Sequence, residues 1–335
     1  MSAAPEVTFF MLVTDADALI AEYAIRSYRL LRREKINFRL RVYGNCLSPI
    51  VRDRYFPRWQ KYSFVELDDN RAHVTPNYPK AGTLITSPEG FSHPLYGDWE
   101  TCATIWYREL QKLPTPFVAT VDADFEILDP AFVEEAMERL RSAPDLAGVS
   151  STYGPDRPAH YETYRQQTVF MHQRWDTWFC IYRKSCLDVG ISPYLHEQTT
   201  ADGMVHVYDA FGYLQHALLA KGWRFEAVGP EFQNQFIHYA AFVQNQHVTT
   251  RNIAAYRRYR ILMHRGLIPR LGFKGARGRL NRWVGYGAQE LFIRRFGGVD
   301  RSRRQLQHLL NPDFNSKTLY QDRNLHAVRN DGVTH

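Results

Sequence analysis

The sequence predicts an α/β domain on a mostly parallel sheet flanked by helices, and three observations carry that expectation. Short β-branched and aromatic runs alternate with amphipathic stretches along the first part of the chain, and such alternation requires crossover connections. At 335 residues and 44% apolar content the chain can bury one sizeable core. The strand candidates end in polar pairs, Thr14-Asp15, Gly44-Asn45 and Asp68-Asp69, where an open parallel sheet collects its ligands.

Taken in order, Val7 to Val13 reads as the first strand. The segment after it, to Arg33, carries Leu19, Ile20, Tyr23, Ala24, Ser27, Leu30 and Leu31 at helical spacing. Phe38 to Tyr43 reads as the second strand, a short helix follows around Val51, and Ser63 to Leu67 reads as the third strand. Residues 70–97, rich in Pro, Gly, Thr and Ser, are too long for a plain connection and are expected to be a functional loop. Trp99 to Leu113 returns to helical periodicity.

The next stretch, PFVATVDADFEILDP, sets acids into an apolar run. Strand alternation over Phe117 to Phe125 puts Phe117, Ala119, Val121, Ala123 and Phe125 on one face and Val118, Thr120, Asp122 and Asp124 on the other. Two residues along a strand separate the Asp Cβ atoms by roughly 6.6 Å, close enough to share one hydrated divalent cation. Without a cation or an Arg they would repel. Asp129-Pro130 reads as N-cap and first residue of a helix.

Helix, Tyr107-Arg108 and Asp-x-Asp strand together, TIWYRELQKLPTPFVATVDADFEIL, resemble the nucleotide-sugar-dependent glycosyltransferases of the GT-A fold. The resemblance runs in order through much of residues 7–240, including WFCIYRKSCLDVG, the helix YDAFGYLQHALLAKGW and the segment FIHYAAF. It implies a GT-A (Rossmann-like) domain over residues 1–250, with a nucleotide-sugar half to about 125 and an acceptor half from about 126. Residues 251–335 are expected to form a basic, mainly helical extension. It further implies that Asp124 ligates Mn²⁺ or Mg²⁺ bridging the donor's diphosphate, that Asp122 touches ribose, metal or both, and that His238 supplies a third metal ligand. Thr14, Asp15 and Asp68 fall where the family contacts base and ribose, and Arg108 falls where one retaining branch has an Arg near the sugar diphosphate. The bland alternatives are a core histidine, capping or turn residues, and an Arg paired with Asp98 or Glu109.

The implied chemistry is transfer of a sugar from a nucleoside-diphosphate sugar to a hydroxyl acceptor, with the cation stabilising the leaving diphosphate. An inverting enzyme also needs a carboxylate base, and Asp209, opening a helix from Ala210 to Lys221, matches that position, with Asp202 and Glu197 in reserve. Tyr107-Arg108 and the His238 context look like the retaining, glycogenin-like branch, but its Lys-Pro-Trp after the His is absent. The inverting branch usually has Glu-Asp where this chain has Tyr208-Asp209, and inversion is the preferred expectation.

Other features fill out the expectation. The aromatic and Arg-rich region Tyr153 to Trp178 suits sugar faces and anionic groups, with Trp175 and Asp176 its most site-like residues. Residues 1–250 carry a net charge of roughly −6 and residues 251–335 roughly +13. In that tail Lys274 or Arg277 would close over a diphosphate, and residues 291–296 read as an amphipathic helix. A lipid-linked acceptor would draw such a tail to an anionic membrane; the alternative is a solvated extension packed on the domain. No nucleic-acid signature accompanies the charge. An acidic residue and a short apolar run at the N-terminus do not fit an export signal, so a cytoplasmic protein is expected, peripheral at the inner face if the tail engages lipid. The four cysteines lack zinc-site spacing and read as reduced core thiols.

Three further classes compete. A haloacid dehalogenase-type phosphatase wants Thr or Val where Glu126 stands, and a nucleotidyltransferase wants a Gly-rich loop where residues 13–17 have none. A non-catalytic sugar- or lipid-binding protein on the same fold stays open, as does the acceptor, with surface glycan or secondary glycoside assembly the expected setting.

Overall fold

The computed structural model describes residues 4–14, 17–45, 47, 49–69, 84–86, 92–94, 102–160, 168–188, 197–199, 204–208, 211–239, 257 and 261. The main strands are β1 (Val7–Val13), β2 (Phe38–Gly44), β3 (Val65–Asp69), β4 (Phe117–Asp122), β5 (Phe125–Ile127), β6 (Leu146–Ser150), β7 (Phe179–Arg183), β8 (Arg224–Ala227) and β9 (Phe236–His238). The helices are α1 (Ala18–Ser27), α2 (Pro49–Trp59), α3 (Cys102–Lys112), α4 (Ala131–Ser142) and α5 (Gly212–Ala220). Seven strands form one sheet in the order β8-β6-β7-β4-β1-β2-β3. Only β7 runs against the rest, antiparallel to both β4 and β6.

Both faces of the sheet are covered, which is why its strands are apolar almost throughout. One core layer packs residues of α1, α2 and α4 against Phe9, Met11, Ala119, Val121 and Phe179. The other packs Ile105, Trp106 and Leu110 of α3 and Leu214 and Leu218 of α5 against Phe10, Val118, Cys180 and Tyr182. Cys180 and Cys186 are buried thiols outside any disulfide, and burial pushes Cys180 well up.

Several sequence expectations shift. The first helical stretch gives way at Ser27 to a tighter turn, Tyr28–Leu30, which turns the Tyr28 ring into the core, 5.2 Å from Phe9, and leaves Leu30 exposed. The short helix around Val51 runs for 11 residues. The N-cap of α4 is Pro130 and not Asp129, because the helix starts one residue later than read; the Asp129 carboxylate still accepts from the Ala131 N–H at 3.0 Å from just outside the cap.

The largest departure lies in the Asp-x-Asp segment. The strand does not continue to Phe125 but ends at Asp122, turns at residues 123–124, and resumes as β5, which pairs antiparallel with β9. The inward face follows the alternation regardless, since Phe117, Ala119, Val121, Ala123 and Phe125 all lie in one core layer. Facing aromatics explain the turn: Phe125 stacks on Phe179 at 5.0 Å and Phe236 at 4.9 Å, which draws the chain off the sheet onto β9.

The helix read from Ala210 starts at Gly212 because Phe211 is left-handed, at φ 63°. An aromatic residue there is strained by about 1–3 kcal/mol. Burial of the Phe211 ring, 5.9 Å from Trp106 and 5.7 Å from Tyr182, offsets it. Gly222, at φ 86°, ends that helix as read.

Candidate metal and nucleotide site

The site grows from the parallel pairing of β1 with β4, in which Leu12 lies opposite Asp122. That register sets the Thr14–Asp17 turn beside the Asp-x-Asp turn at the carboxyl edge of the sheet. The β5–β9 ladder pairs His238 with Phe125, and the Tyr239 N–H donates to the Asp124 carbonyl at 3.0 Å. His238 Nε2 therefore comes within 3.3 Å of Asp124 Oδ1 and 3.5 Å of Asp122 Oδ2.

Asp122, Asp124 and His238 each offer a ligand atom, and all three atoms lie within 4.8 Å of one another. Asp124 and His238 are 9% and 13% exposed, whereas Asp122 is 36% exposed, so a ligand would enter past Asp122. Burial pushes the Asp122 carboxyl up, the His238 contact opposes it and the Asp124 charge adds to it. Burial alone would lower the His238 imidazole, yet the two carboxylates outweigh it and push it up to about 9. An imidazolium thus bridges two carboxylates where a cation would sit.

A pH signature follows. Because the folded His238 value lies above the ordinary 6.5, its stabilising effect is full below that pH and lost as pH rises through about 9. Asp122 acts in the same sense at lower pH. Metal-free protein is expected to lose roughly 2–3 kcal/mol between pH 6 and 9.5, with Mn²⁺ blunting the loss as it displaces the proton. Chemical denaturation in EDTA and in Mn²⁺ at both pH values checks this; a metal-free stability that does not change rules it out.

Three neighbours join the cluster, of which Asp17 escaped the sequence reading and Trp178 and Arg174 were legible only as part of the aromatic and Arg-rich region. Asp17 is a third carboxylate facing the cluster; burial and the charges of Asp124 and Asp122 push it up to about 6, against hydrogen bonds from the Thr14 hydroxyl and N–H. The Trp178 ring packs at a tilt against His238, 4.1 Å between centroids; its backbone carbonyl accepts from the Asp122 N–H at 2.9 Å and its indole N–H donates to Ser151 Oγ at 2.6 Å. Arg174 holds Asp176 at 2.9 Å, and its charge reaches Asp122. Asp17 left its own sequence signal, as a second acid two residues past Asp15 after the first strand.

The other expected site residues are placed as follows. Thr14 is tied to Asp17 at 2.5 Å. Asp68, at the carboxyl end of β3, is held by Arg41. Arg108 donates to Glu109 at 2.7 Å and to the Tyr43 hydroxyl at 3.3 Å, the Glu109 pairing that the bland reading named. Burial would raise Glu109, but Arg108 and Lys112 together pull it below the ordinary range. Trp175 belongs to the core, 5.1 Å from Phe225, because Gln215 binds both its backbone N–H and carbonyl; Trp178 takes the place by the site. Asp176 is buried and bonded by Thr152 and Arg174. Asp15, Asp209, Asp202, Lys274 and Arg277 lie outside the described residues, and so does the Glu197 side chain. Among the described residues, no helix is long and apolar enough to cross a membrane.

No family model and no curated protein matches the chain. Solved structures align with it at low identity. The mannosyltransferase PcManGT from Pyrobaculum calidifontis, in complex with GDP-Man and Mn²⁺, aligns over 98% of this chain and 81% of its own, at 11% identity and a TM-score of 0.42. S. aureus TarS 1–349 with UDP-GlcNAc covers 62% of this chain and 53% of its own, at 11% identity and 0.34. M. tuberculosis glucosyl-3-phosphoglycerate synthase covers 44% and 45%, at 16% and 0.30. This chain thus spans about half the length of the last two. What defines the fold is the chain's own strand order, with one antiparallel strand beside the Asp-x-Asp strand in an otherwise parallel sheet. The chain has the GT-A fold, the fold of the nucleotide-sugar-dependent glycosyltransferases that its sequence resembles.

Proposed function

We propose that the protein is a metal-dependent glycosyltransferase that moves a sugar from a nucleoside-diphosphate sugar to a hydroxyl acceptor. The observation that carries this reading is the convergence of Asp122, Asp124 and His238 at the carboxyl edge of the sheet. Two carboxylate oxygens and one imidazole nitrogen fit Mn²⁺ better than Mg²⁺, which prefers oxygen alone. Bound there, a divalent cation would neutralise charge on the departing nucleoside diphosphate.

The chain's own groups do the rest. Asp124, buried, and His238, 13% exposed, would hold the cation from the protein side; Asp122, the most exposed of the three, would face the donor. Trp178 keeps the imidazole from swinging away and covers it from water. Thr14, Asp15 and Asp68 line the edge for base and ribose in this reading, Arg108 and Lys274 serve the diphosphate, and Asp209 accepts the acceptor's proton in an inverting displacement. Support for Asp209 comes from its neighbour, since the strained Phe211 lies two residues on, and such strain collects at functional sites. Retention in the glycogenin-like manner is the second reading, favoured by the place of Arg108 at Tyr43 near the end of β2.

Residues 1–250 form the catalytic domain in this proposal and residues 251–335 a basic extension reaching a lipid-linked acceptor at the inner membrane face.

Thermal melts with UDP, GDP, dTDP, ADP or CMP, each with Mn²⁺, Mg²⁺ or EDTA, test the reading. A nucleotide at a hundred times its dissociation constant stabilises by about 2.7 kcal/mol, a shift of several degrees. One diphosphate is expected to stabilise only with metal. A flat response to all of them would favour a non-catalytic binding protein.

A further inference from the structure

The sequence draws a boundary near residue 250, yet one residue beyond it reaches the back of the metal cluster. Arg257 Nε donates to Glu126 Oε1 at 2.6 Å, and the Tyr239 hydroxyl donates to Glu126 Oε2 at 2.6 Å. Glu126 is only 2% exposed, the middle residue of β5, between Phe125, which pairs with His238, and Ile127. Both oxygens of one buried carboxylate are thus taken, one by the residue next to His238 and one by the extension. The Arg257 guanidinium also lies over the Tyr23 ring at 5.9 Å, with that of Arg26 over the same ring at 5.2 Å, so its charged end is seated on α1.

The spacing makes this pair more than a surface contact. Glu126 is two residues from Asp124, and Tyr239 is one residue from His238 and bonded through its N–H to the Asp124 carbonyl. The ladder that sets the imidazole against both carboxylates is therefore tied at its rear by one carboxylate, which itself needs a cation to remain buried. Resting on the metal-site reading above, we infer that Arg257, acting through Glu126 and Tyr239, is a positioning residue for the Asp122–Asp124–His238 centre. Through Arg257 the extension thereby completes the site from behind. Partners of this kind behind metal ligands change affinity by about 10–100-fold when removed.

Mn²⁺ binding to the full chain, read from the loss of the free-ion EPR signal, tests this with Mn²⁺ alone as probe. Arg257→Met, which keeps an unbranched apolar side chain of similar length and removes the guanidinium, is expected to weaken Mn²⁺ at least about tenfold. Arg257→Lys should recover most of the affinity, and Tyr239→Phe, which removes only a hydroxyl, should lose several-fold. Arg141→Met cuts an ion pair to Glu6 remote from the site, with contacts of 2.8 and 2.6 Å, and should leave Mn²⁺ affinity unchanged although it costs stability. If Arg257→Met and Tyr239→Phe bind Mn²⁺ as tightly as wild type, the positioning role is wrong while the metal site stands. If Arg257→Met does not fold, Tyr239→Phe alone decides between these outcomes. Wild type and Asp124→Asn binding Mn²⁺ equally, or neither binding it, would remove the metal site and the inference together.

Discussion

Asp124→Asn is expected to abolish metal-dependent transfer, lowering kcat/KM by at least about a thousandfold, roughly 4 kcal/mol of transition-state stabilisation. The side chain is 9% exposed and its oxygen lies 3.3 Å from His238, so the amide fills the same space while removing the charge that would hold the cation. Removing the charge relieves the repulsion on Asp122 and gives up part of the attraction to His238, effects of opposite sign, so the variant should stay folded, its melting temperature in EDTA within a few degrees of wild type. The diagnostic pattern is therefore an unchanged melt without metal and a lost shift with metal and nucleotide. A variant that retains the nucleotide shift and activity in Mn²⁺ would show that the Asp pair is structural. If it fails to fold, the comparison belongs to Asp122→Asn, whose carboxylate is more exposed.

Phe125→Ala is expected to be the most damaging single change to stability, by about 3–5 kcal/mol. The ring is fully buried between Phe179, Phe236 and Phe132, at 5.0, 4.9 and 6.0 Å, and it lies 6.4 Å from the His238 ring. No neighbour can collapse into the void without shifting β5 or β9, and each shift moves a ligand. A melting point lower by roughly 10 °C should accompany weakened Mn²⁺ binding in whatever protein still folds. Phe125→Leu, which leaves most of the volume, should cost about half as much. Equilibrium unfolding in EDTA measures both, and a loss below about 1 kcal/mol for the Ala variant would mean that the aromatic cluster does not hold the Asp-x-Asp turn.

How much of this was legible beforehand follows from the range of each interaction. Alternation of apolar and polar residues is local, so β1, most of β2 and the inward face of Phe117 to Phe125 can be read without a structure. Turn chemistry is local too: Asp129 binds the first helical N–H of α4, one residue outside the cap, and Gly222 ends α5 as its type suggests. The sequence alone also marked Asp122, Asp124 and His238 as belonging together, through an ordered resemblance rather than through any spacing.

What the sequence could not decide rests on contacts between distant residues. It could not show that the strand stops at Asp122, because the ring that bends it away answers to Phe179 and Phe236, more than fifty and more than a hundred residues on. Nor could it separate Trp175 from Trp178: two similar rings three residues apart take core and site according to where Gln215 and Ser151 stand. Asp17 becomes a third carboxylate only through the register of β1 on β4, and Arg257 reads as a generic tail charge until Glu126 is found buried beneath it. Local pattern determined which segments are strands and helices, since propensity and hydrophobic period act over a few residues. Tertiary structure alone decided which charges meet, because a buried carboxylate is tolerated only where long-range packing brings it a partner.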